Sequence, residues 1–287
     1  MSVFEDQVDI EGIVEDHAKE VISLQEKQAR AIIAEYSQIR KDLQERLSHA
    51  KFDSFTAQRL RVVLVQIDAA IDRANKDLHT KIEIGADHSS RMGVEQLIKE
   101  IHRFDKKFTG AVRPININIT KSAMDTKEFL MNHYKRSLDK YGAETKQKVA
   151  RALSRAALEE LPYSEVVKSV GTFFEGQEWE IHRLARTELH HIYSVAKLTG
   201  MKELKKEAVP DLKKGLYHPM DTRTGEDSIE LADMNPILHL NEAFEQTYVP
   251  RLKNGKKGKA QHYTFMVPPN RPNDRAILIP VRDEWLE

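Results

Sequence analysis

Glu188 and His191 stand three positions apart in a stretch with helical patterning, which puts both on one helix face. Carboxylate-bridged di-metal bundles use this Glu-x-x-His spacing, but they need it twice and two further carboxylates besides. The chain has no second Glu-x-x-His and no His-Glu-x-x-His, so the pair reads as a solvated or capping histidine beside an acid. Glu178 with His182 and Arg186 with His190 read as helix-surface pairs on the same spacing rule. Zero cysteines exclude disulfides, thiolate zinc sites and cysteine nucleophiles. No serine sits in a G-x-S-x-G elbow. Gly255-Lys256-Lys257-Gly258-Lys259 lacks the G-x-x-x-x-G-K-[ST] spacing that cradles phosphate, and reads instead as a basic hairpin tip. His218, His239 and His262 share the last third of the chain with Asp221, Asp227 and Asp233. They read as supports for loops. The sequence therefore predicts no catalytic, metal or cofactor site.

Two short clusters suit recognition and packing better than catalysis. Leu184-Ala185-Arg186-Thr187-Glu188-Leu189 lies within a helix, where Arg186 and Glu188 are two apart and must reach different partners. Thr187 is mildly unfavourable in a helix interior unless its hydroxyl finds a nearby acceptor. In Asp221-Thr222-Arg223-Thr224-Gly225 the aspartate can close an Asx-turn and the glycine eases the backbone. Arg223 offers a planar five-donor fork.

The elements that must position these residues are mostly helices. Only Pro114 and Pro162 precede residue 210, whereas eight prolines crowd positions 210 to 287. Proline removes a donor and clashes in helix interiors, so long helices belong to the earlier part. Ile22, Ala29, Ile32, Tyr36, Ile39, Leu43 and Leu47 form one stripe at three- and four-residue steps. Leu60, Leu64, Ile67, Ile71, Ala74, Leu78 and Ile82 form a second after a break at Lys51 to Ser54, which predicts an antiparallel hairpin. Gly85 and Gly93 are expected to bracket a looser stretch ahead of a short helix through Phe104. Residues 112–119, VRPININI, alternate in strand fashion around Pro114 and predict an edge strand or an isolated extended arm. Helices are expected from about 143 to 161, from Ser164 to Phe174, and from Gln177 to about Glu207. Strands are expected near Lys214–Tyr217, His262–Val267 and Arg275–Arg282.

The fold class expected is mainly α, with long amphipathic helices, plus a small α+β C-terminal module. The domains expected are a helical region at 1–110, a second helical part with the extended arm at 111–209, and the module at 210–287. The charges of that module are segregated. Gly215 to Thr247 holds seven acids against Arg223, and Tyr248 to Arg275 holds seven bases against Asp274. Such blocks neutralise each other within one fold or between copies, so self-association is a candidate property. Overall, 45 basic residues balance 45 acidic ones, which argues against coating DNA by bulk charge. No apolar run approaches the roughly 20 residues of a bilayer span, so no membrane partner is expected. MSVFEDQVDIEG lacks a basic start and apolar core, so no secretory signal is expected either.

The order of motifs resembles the phage head morphogenesis family named after the F protein of phage Mu. Ala185-Arg186-Thr187-Glu188 is followed by Tyr193 and Ala196, then by the turn Asp221-Thr222-Arg223-Thr224. The proline-rich stretch from Met266-Val267-Pro268-Pro269 to Asn273-Asp274-Arg275 closes it. The resemblance covers roughly residues 120 to 287. Many relatives carry a histidine soon after the turn, where this chain has Asp227 and Ser228, and cysteines beside the late arginine, where it has Asp274 and Ala276. The resemblance implies a minor head protein, present in few virion copies and recruited in the host cytoplasm during procapsid assembly. The portal protein, the major capsid protein or both would be its partners, with packaged DNA a further candidate. Arg186, Thr187, Glu188, Asp221, Arg223, Thr224 and Arg275 would then be structural, with Arg223 and Arg275 paired to acids such as Asp221, Asp227 or Glu230. Arg251, Lys253, Lys256, Lys257 and Lys259 would meet DNA or an acidic protein surface. The alternatives are an internal DNA-binding protein ejected with the genome, and a hydrolase or toxin-like enzyme using His218, Asp221, Asp227, His239 and His262.

Overall fold

A computed structural model describes residues 10–49, 57–104, 127–128, 130–132, 134–140, 142–151, 163–219, 229–231, 234, 236–249, 258–270 and 274–285. The chain is mainly helical, with a small C-terminal set of antiparallel strands, as its patterning predicts. Three long helices dominate: α1 (Ile10–His49), α2 (Ala57–Phe104) and α3 (Tyr163–Glu207). Further helical turns occupy described residues between 127 and 151. No described helix is long and apolar enough to cross a membrane.

The helices form where apolar residues recur at the helical period. On α1 the buried stripe is Val14, Ala18, Val21, Gln25, Ala29 and Ile32, which starts two turns earlier than the stripe read from Ile22. On α2 the expected Ile67, Ile71, Leu78 and Ile82 are buried. Each such side chain removed from water contributes about 1.5–3 kcal/mol.

Two expected breaks are absent. α2 runs unbroken through Gly85 and Gly93, and α3 runs unbroken through Gly171 and Gly176. Glycine inside a helix costs about 1 kcal/mol against alanine, and at Gly93 close packing explains its presence. A Cβ there would lie 2.5 Å from Tyr193 O and 3.3 Å from Lys197 N. The glycine marks where α2 and α3 cross at backbone contact.

By contacts the chain divides into two compact units. One comprises residues 1–25, 86–129 and 187–287, and the other residues 26–85 and 130–186. In the first unit β1 (Lys213–Tyr217) is central, pairing antiparallel with β2 (Leu238–His239) and with β5 (Ile277–Val281). β3 (Phe244–Tyr248) and β4 (Gln261–Phe265) form a separate antiparallel ribbon. The three expected strands correspond to β1, β4 and β5, while β2 and β3 are additional. The core of this unit joins Leu97 and Ile101 of α2, Met201 and Leu204 of α3, Phe244 of β3 and Leu278 of β5. Val14 and Val21 of α1 pack with Phe104, Tyr193 and Ile277 in a second cluster. The expected arm at 112–119 and the link at 51–54 lie outside the described residues.

In the second unit, ion pairs tie the helices at their rims. Lys146 Nζ lies 2.6 Å from Asp72, and His79 Nε2 lies 3.2 Å from Asp139. Tyr134 and Leu138 are fully buried beside them in sequence.

Candidate functional site

In the second unit, Arg186 does reach a partner other than Glu188. Its guanidinium lies 3.0 Å from Glu26 Oε1, and His182 Nε2 lies 3.4 Å from Glu26 Oε2, so one carboxylate is shared by two side chains a turn apart on α3. His182, expected beside Glu178 on the helix surface, reaches Glu26 of α1, and the Glu178 side chain lies outside the described ones. A charge that can pair with another helix gains more than one paired along its own exposed face, where about 0.2–0.5 kcal/mol is at stake.

In the first unit Thr187 and Glu188 are half-buried, and each has polar or electrostatic partners. His190, expected on the surface beside Arg186, is 2% exposed. Its Nε2 lies 2.7 Å from the Ala276 carbonyl and its Nδ1 3.2 Å from Gln25 Oε1. A carbonyl only accepts, so Nε2 carries the proton. This histidine fastens α1, α3 and the approach to β5 together.

A larger polar network lies deeper in the same unit, on α1, α2 and α3. Lys197 Nζ donates to Glu100 Oε1 at 2.6 Å, and His17 Nδ1 approaches the same oxygen at 3.0 Å. Tyr193 OH donates to Gln96 Oε1 at 2.7 Å, while Gln96 Nε2 donates to His17 O and to Glu20 Oε2 at 3.3 and 3.2 Å. Lys197 Nζ also stands 3.4 Å from Tyr193 OH. Burial pushes the Lys197 ammonium below its ordinary pKa against the opposing pull of Glu100. Burial, reinforced by the charge of Glu100, holds the Tyr193 phenol well above its own. Glu100 Oε2 has no hydrogen-bond donor among the described residues.

The sequence reading missed this network, although a signal was present. Gln96 with Glu100, and Tyr193 with Lys197, are polar residues at i,i+4 that fall on the apolar stripes of α2 and α3. Polar groups there must find each other or stay unsatisfied.

Lys214 on β1 is a third buried polar group. Its Nζ donates to Met266 O at 2.9 Å and sits 4.8 Å from the Phe244 ring centroid. Burial, then the charge of Lys202, lowers its pKa to about 8 against the pull of Glu242. At the end of the sheet, Arg282 Nε meets both carboxylate oxygens of Asp211 at 3.0 Å, which holds the aspartate below its ordinary pKa.

The other expected positions divide as follows. His239 is exposed on β2 and His262 is exposed on β4, in different sheets, while His218 is buried. His262 Nδ1 lies 2.9 Å from Thr247 Oγ1 across the ribbon. No group of three or more His, Asp or Glu able to hold a metal occurs among the described residues. Arg275 is half-buried and has interaction partners, next to Asp274, whose carboxylate accepts from the Asn270 and Ala276 amides. Asp221, Arg223, Thr224, Asp227, Arg251, Lys253, Lys256 and Lys257 lie outside the described residues, and Lys259 is exposed. Residues 249–260 join β3 to β4, so the five bases of that stretch belong to a hairpin connection.

These side chains can fix helix register and exclude water. The innermost pair is buried: Glu100 and Lys197 are both 0% exposed. No protein-family model, curated protein or solved structure matches the chain.

Proposed function

We propose that the chain is a structural minor head protein of a tailed bacteriophage, acting in procapsid assembly at or near the portal or inside the capsid. The observation that carries this reading is the order of three short motifs along one chain: Ala185-Arg186-Thr187-Glu188, Asp221-Thr222-Arg223-Thr224, and Pro268-Pro269 to Arg275. The chemistry of the described polar groups supports it. Arg186 is committed to Glu26, His190 to Ala276 and Gln25, and Lys197 to Glu100, all contacts that hold helices at fixed register. Helices held at fixed register in this way would serve docking against a portal or major capsid protein.

The hairpin connection between β3 and β4 favours a DNA contact as part of the same role. It carries Arg251, Lys253, Lys256, Lys257 and Lys259 and no acid. Phosphate neutralisation by such a stretch releases counterions and makes binding fall steeply with salt.

Mass spectrometry of purified particles of the phage that encodes this sequence tests the reading. The protein is expected in full heads at low copy number. Particles that assemble and infect normally without it would sink the proposal. For the DNA contact, replacing the five bases by glutamine is expected to weaken duplex binding and to flatten the slope of log affinity against log salt. An unchanged slope removes DNA from the list of partners.

A further inference from the structure

The innermost polar network of the first unit brings reactive groups together away from water. Lys197 Nζ donates to Glu100 Oε1 at 2.6 Å, and His17 Nδ1 lies 3.0 Å from the same oxygen. Neither Lys197 nor Glu100 is exposed, and His17 is 4% exposed. A primary amine, a carboxyl group and an imidazole therefore converge on one atom. Amine and carboxyl are the two halves of an amide. At a protein surface such a pair is inert, because an ammonium has no lone pair to offer and a carboxylate repels a nucleophile. Burial penalises both charged forms, so one proton moved along the hydrogen bond leaves a free amine beside a carboxylic acid. The lowered pKa of the Lys197 ammonium, caused first by its burial, acts in that direction. Close packing holds the groups in place: Gly93, about two turns before Glu100 on α2, is packed against the backbone of Tyr193 and Lys197.

We propose that Lys197 and Glu100 condense into an isopeptide bond, which fastens α2 to α3 covalently. The lone pair of Nζ attacks Cδ, the carbon that carries Oε1, and the Cδ–Oε1 bond breaks once the new N–C bond has formed. His17 Nδ1 gives a proton to the departing oxygen and takes one from Nζ, so the ring ends as it began. One amine and one carboxylic acid become one amide and one water. Nothing is oxidised or reduced, and no outside reagent is required. In bulk water hydrolysis wins over this condensation. Groups oriented by a folded core react with effective molarities that reach on the order of 10⁵–10⁸ M, which turns the balance towards the amide. Tyr193 OH, 3.4 Å from Nζ, stands beside the amine. The ion pair is the reactant, so chains that have not yet reacted carry it.

The test uses the purified full-length chain and does not depend on the head-assembly reading. Intact mass, measured after denaturation, is expected to show a species lighter than the sequence by one water, its share growing as folded protein ages. Trypsin should then release residues 187–202 joined to residues 100–103, uncut after Lys197 because its amine is acylated. An aspartate that closes to a succinimide also loses one water, but it joins no peptides. A lost water without the joined pair therefore overturns the inference. So does a mass that stays at the full value in fresh and aged protein alike. Lys197→Arg keeps the positive charge and should abolish the joined pair. His17→Gln can still donate to Glu100 but cannot cycle a proton. With its folding checked by circular dichroism, this variant is expected to form the bond at least about tenfold more slowly. A rate equal to that of the unaltered chain overturns the part given to His17.

Discussion

Lys197 Nζ and Glu100 Oε1 meet at 2.6 Å across two helices, and neither side chain is exposed to water. Two opposite charges taken out of water repay their desolvation only in each other's presence. Glu100→Leu or Lys197→Met alone leaves one buried charge uncompensated, and each is expected to destabilise the protein by about 3–5 kcal/mol. The double change Glu100→Leu with Lys197→Met should recover most of that loss. Urea midpoints of the four proteins in the cycle measure the coupling, and strictly additive losses would refute it.

Lys214 gives stability a dependence on alkaline pH. Its pKa is about 8 in the fold and 10.5 as a free side chain. Between those values the unfolded chain holds more protons than the native one, so stability rises with pH across that window. Below about pH 8 the group is charged in both states and contributes no slope. The gain by pH 10.5 is on the order of 2 kcal/mol. Lys214→Met should flatten the rise and leave the protein at least as stable at pH 7, as read from denaturant midpoints at several pH values.

Gly93→Ala should destabilise in spite of alanine's better helix propensity. The added methyl meets backbone, the Tyr193 carbonyl at 2.5 Å, and backbone cannot swing aside. Overpacking costs about 1–3 kcal/mol. A lowered thermal midpoint is expected; a raised one would mean that α2 and α3 separate freely at this crossing.

His190 should carry a proton on Nε2, since Ala276 O, 2.7 Å away, can only accept. Nitrogen-15 shifts of the ring at pH 7 report the tautomer directly. His190→Ala leaves that carbonyl buried without its donor and opens a cavity, and should cost about 2–4 kcal/mol.

The sequence made the helices legible because their signal is local. Ile67, Ile71, Leu78 and Ile82 repeat at the helical period, and all are buried. The proline onset at 210 likewise marks where long helices stop. Glycine misled the reading, because Gly93 is a statement about α3, a hundred residues away, rather than about α2 itself. The buried network was legible only as polar residues on apolar stripes, and its pairing was not, for the same reason. Glu100 and Lys197 look like ordinary surface charges until the partner helix is in place. β2 has two residues and β3 owes its alternation to Phe244, Gln246 and Tyr248, too little for periodicity to register. Arg186 was singled out for a partner beyond its own helix turn, but which partner it takes depends on α1 lying alongside.

The first compact unit also sets a timetable for synthesis. Val14 packs in one cluster with Ile277, so contacts made by the first turns of α1 wait for the last strand to be translated. The 26–85 and 130–186 unit is complete 91 residues before Ile277 appears. At 5–20 residues per second, that is an interval of about 5–20 s. During that interval one half of every nascent molecule can be folded while the N-terminal stripe of the other still lacks its strand, a natural opening for chaperones.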